Sequence, residues 1–584
     1  MKHVYLYLAL LSLLIFACMP EEKEGAAEEP AVLLQVAERA RWEREIPLFK
    51  AYWQEVHQAL GSSFPVVRLQ PSELEGRDAQ MAQQLALQYP DFVRDLFDPQ
   101  SGQPLHSEVM KVAPLSEERL KRDGIACKAG ACYVVEMYNF FFNQTTTALV
   151  DVSRRQVLNI SVKSGAREPN KRLQNMAREI ALHTPELAEA LGLEPEVFRT
   201  LNSAVKPASC ERSRHLGMAP VFEHQGRLLW VLVDGTDWKV VGYKILRGRL
   251  SDWQGKVAPV SERIIQNEAV MRQFCEQTNS LQVGDWAMEY VLLPSDGLVL
   301  QQLRFRGKPV LQSAKLVDWH VSYTFKEGFG YSDAVGCPQF SSAAVVAFSG
   351  PSVEPLVKEG DTLGFALVQD FRSPVWPLNC NYRYENRYEF YRDGRFRISG
   401  VNHGLGCGVT GWYRPVFRID LGDGKSAEEM ERWEGTGWKQ LEKEAWHLQA
   451  EQTAYSPEGY LYKWYIGNGR GYYLEPARGQ FEDGGRGDFA YTYVTVYKPE
   501  EGEDDMTTIG PCCNTNEEQG PEKFLRPAEP LAGGNIVLWY VPQMKNDNTP
   551  GREYCWAAIK VEEGRQKSVT WPGTVGPMFV PFEE

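Results

Sequence analysis

Apolar and polar residues alternate through "LNCNYRYENRYEFYRDGRFRISG", residues 378–400. Tyr382, Tyr384, Tyr388 and Phe390 fall on one face of an extended chain, and Arg383, Glu385, Arg387 and Glu389 on the other. Asp393-Gly394 then turns the chain back into "RFRI", so the stretch predicts a β-hairpin with one apolar and one charged face. The same alternation predicts strands at "CYVVEMYN" and "TTALVDV", and a second Asp-Gly hairpin in "GRLLWVLVDGTDWKVVGYKI". Helical spacing is found instead in 31–60 and 73–97 (Leu33, Val36, Ala40; Leu85, Leu87, Phe92, Leu96) and in "KRLQNMAREIALHTPELAEALG". From about residue 280 short strands and Gly, Pro and Asn turns recur to the end, the pattern of a large antiparallel sandwich. "EEMERWEGTGWKQLEKEAW" is the one stretch there that reads as partly helical. No repeat of fixed period is present.

The expected fold class is therefore α+β N-terminal units followed by a large antiparallel β-sandwich, mainly β. Its expected order is a helical segment over 31–115, small α+β domains over 116–200 and 201–275, and the sandwich over 276–584. A length of 584 residues agrees with several cores rather than one. Aromatic residues make up 12% of the chain, which with 50 glycines and 35 prolines favours strands and turns over a helical bundle.

Charge narrows the partners. The formal net charge of −14 argues against nucleic acid and against a basic membrane-docking surface. A field of that sign attracts small cations, amines included, although its commoner meaning is solubility. The N-terminus, "MKHVYLYLALLSLLIFAC", has a basic start and an apolar run too short to span a bilayer, which predicts an export signal over 1–18. Its "LIFAC" resembles a bacterial lipobox, which implies acylation of Cys18 and anchoring in a lipid membrane. Residues 19–30 then read as a charged, flexible tether. Of the 11 cysteines, ten remain after Cys18, an even number that predicts disulfides in an exported protein. Cys127 and Cys132 are spaced to close a small loop, whereas the adjacent Cys512 and Cys513 do not pair with each other without strain.

Four stretches, in order, resemble the copper amine oxidase family. "WAMEYVLLPSDGLVLQQLRFRGKPVLQSAKLVDWHVSY" (286–323) is similar to the start of its catalytic sandwich, and "NYRYENRYEFYRDG" to the strand that bears its topaquinone precursor. "FAYTYVTVYKPEE" (489–501) and "GNIVLWYV" (534–541) are similar to two late strands. The resemblance implies oxidation of primary amines by oxygen to aldehyde, ammonia and hydrogen peroxide, with copper and topaquinone as cofactors, in a homodimer. It places the quinone precursor at Tyr382, flanked by Asn381, with Tyr384 as the tyrosine that hydrogen-bonds the quinone. The base would be an acid before Gly336-Cys337, where Glu327 and Asp333 are the two available.

The metal ligands depart from the family's pattern. Its His-x-His pair falls here on Gly411 and Tyr413 of "GWYRPVFRID", and its third histidine on Lys545 or Asn546 of "NIVLWYVPQMKNDNTP". No histidine follows His447, so no shift of alignment restores the third imidazole. Leu378 and Arg383 also depart from the family's residues, and Asp420 is kept without its partner at Gly422. His403 and Cys407 in "VNHGLGCG" suit a soft metal by donor type, but a loop histidine and a disulfide cysteine is the plainer reading, as is a packed strand residue for His320. The expectation is a non-catalytic relative with a ligand-binding or assembly role, no cofactor and an unmodified Tyr382. Its alternatives are altered chemistry around Tyr382 and Arg383, and an active amine oxidase with an atypical metal site.

Overall fold

Strands that carry the predicted alternation assemble into four sheets and a separate hairpin. The structure is a computed structural model that describes residues 31–36, 38–194, 201–210, 214–253, 260–323, 330–338, 345–450, 452–477, 488–501, 510–511 and 519–583. Cys18, Glu327, Cys512 and Cys513 lie outside the described residues.

The first sheet has five strands and runs from Val66–Val67 through Ser107–Pro114, Cys132–Asn139 and Gln144–Asp151 to Gln156–Ser164. The helix Gly76–Leu87 covers one face through Ala79, Ala82 and Ala86. This helix stops short of the predicted 97, because Pro90 disfavours helical backbone at the residue before it. A disulfide joins Cys127 to Cys132, closing the loop that the spacing predicted.

The second sheet orders Val32–Val36, Lys239–Arg247, Arg227–Asp234, His215–His224 and Asn202–Cys210. Val32–Val36 is thus a strand and not the start of a helix: Val32 pairs with Tyr243 and Val36 with Val240. Backbone partners at the sheet edge outweigh a weak helical period over five residues. Helices Arg39–Glu45, Pro47–Leu60 and Lys171–Leu182 pack on one face of this sheet, and Ile265 of the helix Glu262–Gln273 packs on the other. Ser261 caps that last helix by accepting from the Ile264 N–H.

Two large sheets, of eleven and twelve strands, enclose the main core. Lys308–Ser322 and Trp412–Leu421 are central to one, and Asp361–Arg372, Arg383–Tyr391 and Phe396–Asn402 are neighbours in the other. Arg383–Tyr391 alternates as predicted, with Tyr384, Asn386, Tyr388 and Phe390 buried and the charged residues between them half-buried. The partly helical reading of 428–446 does not hold, since Glu429–Trp433, Trp438–Gln440 and Ala445–Leu448 are strands. Gly435 and Gly437 interrupt any helix there, and Trp433 packs edge-on against Trp438 across the turn. Disulfides tie Cys275 to Cys337 and Cys380 to Cys407, and all three bridges fit an oxidising compartment. Among the described residues no helix is long and apolar enough to cross a membrane.

The hairpin Trp556–Glu562/Arg565–Trp571 leaves the sandwich and docks on the N-terminal units. Its turn residue Gly564 has φ +72° and accepts from the His106 N–H at 2.8 Å; a Cβ there would lie 2.5 Å from that nitrogen. Only glycine meets both conditions without displacing the backbone.

Candidate functional site

Tyr382 lies just before Arg383–Tyr391, on the inward side of that strand's alternation. Its ring stacks on Tyr384 at 5.5 Å between centroids, and Tyr384 stacks in turn on Trp319 at 4.2 Å. The Tyr382 hydroxyl is 2.6 Å from the Tyr323 hydroxyl and 3.3 Å from Cys407 Sγ, within the disulfide to Cys380. Tyr323 also accepts from the Cys407 N–H at 3.0 Å. Burial, with Tyr323 and Asp333 nearby, pushes the Tyr382 phenol far above the ordinary tyrosine value. Asn381 takes no part in this cluster; its amide donates to the Asn379 carbonyl at 3.0 Å.

Tyr384 donates to Asp333 Oδ2 at 3.2 Å. Asp333 is 6% exposed and faces Trp319 in the strand pairing. Burial pushes its carboxyl up to about 7, against the opposing pull of the Tyr384 hydrogen bond. The structure therefore brings a proton-holding carboxyl to the tyrosine pair, a feature that sequence reading narrowed only to Glu327 or Asp333. The strand "GYSD" beside Gly336-Cys337 was its one local signal.

Gly411, Tyr413, Lys545 and Asn546, where copper ligands were expected and not found, also converge. Gly411 donates its N–H to Asn546 Oδ1 at 2.8 Å, and the Asn546 N–H donates to the Gly411 carbonyl at 3.0 Å. Asn546 Nδ2 donates to the Gly408 carbonyl at 2.6 Å. Trp412 and Tyr413 pair with Lys545 and Met544. The Tyr413 hydroxyl is buried against Gly406, where a Cβ would collide with it, and burial raises that phenol well above its ordinary value. None of these groups offers a neutral imidazole, and the Asn546 amide is spent on the backbone. Cu(II) is thus poorly served by the residues present. A cavity of ≈ 420 Å³ adjoins this network, lined by Trp412, Phe489, Met544 and Tyr554 among others.

The remaining histidine candidates are taken up by neighbours. His403 Nε2 is 2.7 Å from Glu385 Oε1. His320 lies between Gln519 Oε1 at 2.9 Å and Asp318 Oδ1 at 3.0 Å, buried in its strand. His215, Asp234 and Asp237 bring donor atoms within 4.8 Å of one another, but Lys239 Nζ lies 3.8 and 3.7 Å from the two acids and supplies the cation there.

No model of a protein family matches the chain, and no curated protein matches its sequence. Solved structures similar to it include a copper-containing benzylamine oxidase from Hansenula polymorpha, at 13% identity over 87% of this chain and 97% of that one, with a TM-score of 0.32. A lysyl oxidase from Pichia pastoris is 14% identical over 95% of this chain and 92% of its own, with a TM-score of 0.30. An amine oxidase from Aspergillus nidulans is 13% identical over 87% and 88%, also with a TM-score of 0.30.

Proposed function

We propose that the protein is an exported, membrane-anchored relative of the copper-dependent primary-amine oxidases that no longer carries out copper and topaquinone chemistry and acts in ligand binding or assembly. The observation that carries this reading is the packing of Gly411, hydrogen-bonded to Asn546, against the buried Tyr413 ring where three imidazoles would be needed. Conversion of a tyrosine to a quinone needs a bound metal, so no step through copper or quinone is derived for this chain. The anchor would be acylated Cys18, and a dimer would form through the large sandwich as in the family.

One observation favours the alternative of a retained oxidase with an atypical metal site: a carboxyl held at about 7 beside Tyr384 is suited to proton transfer near neutral pH. A single experiment separates the two. Protein incubated with Cu(II) in air is digested, and the peptide bearing Tyr382 is weighed alongside the bound copper per chain. An unmodified tyrosine and substoichiometric copper are expected. A quinone mass with one tightly held copper would overturn the proposal.

A further inference from the structure

A second cavity, of ≈ 630 Å³, lies where the N-terminal units, the docked hairpin and the segment leading to Tyr382 meet. Six cationic and three acidic side chains line it. Each acid already has its own cation: Glu563 holds Arg39 through both oxygens, Glu562 is 2.8 Å from Lys567, and Asp237 is 3.7 Å from Lys239. Three arginines are left. Arg372 and Arg383 share the Asp370 carboxylate, at 2.6 and 3.1 Å, and Arg383 also lies 3.8 Å from Glu385, which His403 holds as well. Arg372 also lies over the Phe348 ring, 3.8 Å from its centroid.

The third, Arg565, is 6% exposed, and among the described residues no carboxylate forms an ion pair with it. Its Nε donates to His106 Nδ1 at 3.2 Å and its Nη1 to the Thr236 carbonyl, while Nη2 has no partner. The Trp53 and Phe140 rings flank the guanidinium at 4.7 and 4.9 Å. Glu108, the nearby buried acid, is already committed to Arg172 at 3.1 Å, Tyr52 at 2.9 Å and Asn170 at 2.7 Å. Arginine does not shed its proton in a protein; the Thr236 carbonyl and the flanking rings offset part of its desolvation, and an anion would offset the rest.

We propose that this cavity is a binding site for a small organic oxyanion, a molecule bearing a carboxylate or phosphate group that Arg565, Arg372 and Arg383 receive. A planar guanidinium fork matches either group in bidentate fashion, and the volume lies within the range of small-molecule sites. Cations outnumber acids among the lining side chains, the reverse of the balance in the chain as a whole. The site takes up the binding role proposed above, and its test is independent of copper: Tyr382 peptide mass decides one, anion-dependent stability the other.

The experiment measures thermal unfolding of the full-length protein with millimolar citrate, inorganic phosphate, or sodium chloride at matched ionic strength. Citrate or phosphate is expected to raise Tm by about 2–4 °C beyond chloride. A response to citrate alone assigns a carboxylate ligand, and one to phosphate alone a phosphate ligand. Arg372→Gln and Arg565→Gln are expected to weaken the responding anion about tenfold by calorimetry, while Arg306→Gln, at an exposed pair with Asp285, keeps it. Should Arg565→Gln fail to fold, Arg372→Gln decides. Absence of any shift beyond chloride, or equal binding by Arg372→Gln and Arg306→Gln, overturns the proposal.

Discussion

Asp333 in the sandwich and Arg565 in the docked hairpin both lie in the interior with no opposite charge in contact with them among the described residues. Asp333 responds by keeping its proton, with a pKa pushed up to about 7. Arg565 has no such recourse. Its neighbour His106 yields instead: burial, helped by the Arg565 and Arg172 charges, brings the imidazole down to about 4, so that its Nδ1 accepts from Arg565. The carboxyl region is therefore electrically complete by itself, while the guanidinium region stays charged and opens onto a cavity. A buried acid accordingly says less about a missing ligand than a buried arginine does.

The contrast predicts opposite pH responses. Asp333 binds its proton more tightly folded than unfolded, so its contribution is full below the unfolded value of 3.8 and is lost as pH rises through about 7. The loss is on the order of 4 kcal/mol by pH 8. Asp333→Asn is expected to flatten the fall of the urea midpoint between pH 4 and 8; an unchanged slope would show that the carboxyl titrates normally. His106 works the other way. Its folded pKa of about 4 lies below the unfolded 6.5, so stability is full above 6.5 and falls as pH drops toward 4. His106→Gln should remove about 3 kcal/mol of that acid-side loss, read from the same urea series.

Two smaller effects test each region separately. Gly564→Ala, at φ +72° and against the His106 N–H, should lower stability by about 2 kcal/mol and weaken protection by citrate or phosphate, because it displaces the turn that positions Arg565. Tyr382→Phe removes one hydroxyl contact with Tyr323 and should lower stability by about 1 kcal/mol, leaving both pH limbs and bound copper unchanged. A larger loss there would give Tyr382 a role beyond packing.

Local pattern carried much of this fold. The alternation of Arg383–Tyr391 and the Cys127–Cys132 loop are written in contiguous residues, and both were legible. The lack of late histidines was legible for the same reason, since donor chemistry needs no geometry to be counted. The strand at Val32–Val36 was not, because its partner Lys239–Arg247 lies some two hundred residues away and pairing overrode a short helical period. Asp333 was legible only as one of two available acids, and Arg565 not at all. Each owes its character to burial among distant residues, and Arg565 meets His106 across a separation of 459 positions. Nothing in "EEGRQKSV" marks that arginine as the one that goes inside.

That separation sets an order of events during synthesis. The hairpin turn at Gly564 comes off the ribosome after almost everything it touches, roughly half a minute to two minutes after the first residue at ordinary rates of elongation. Until then Trp53, Phe140 and Trp238 present an aromatic socket with no cation in it. The oldest part of the chain thus waits for nearly the youngest, and a product that ends before residue 556 would keep the first two sheets' strands while leaving that socket exposed as a surface for aggregation.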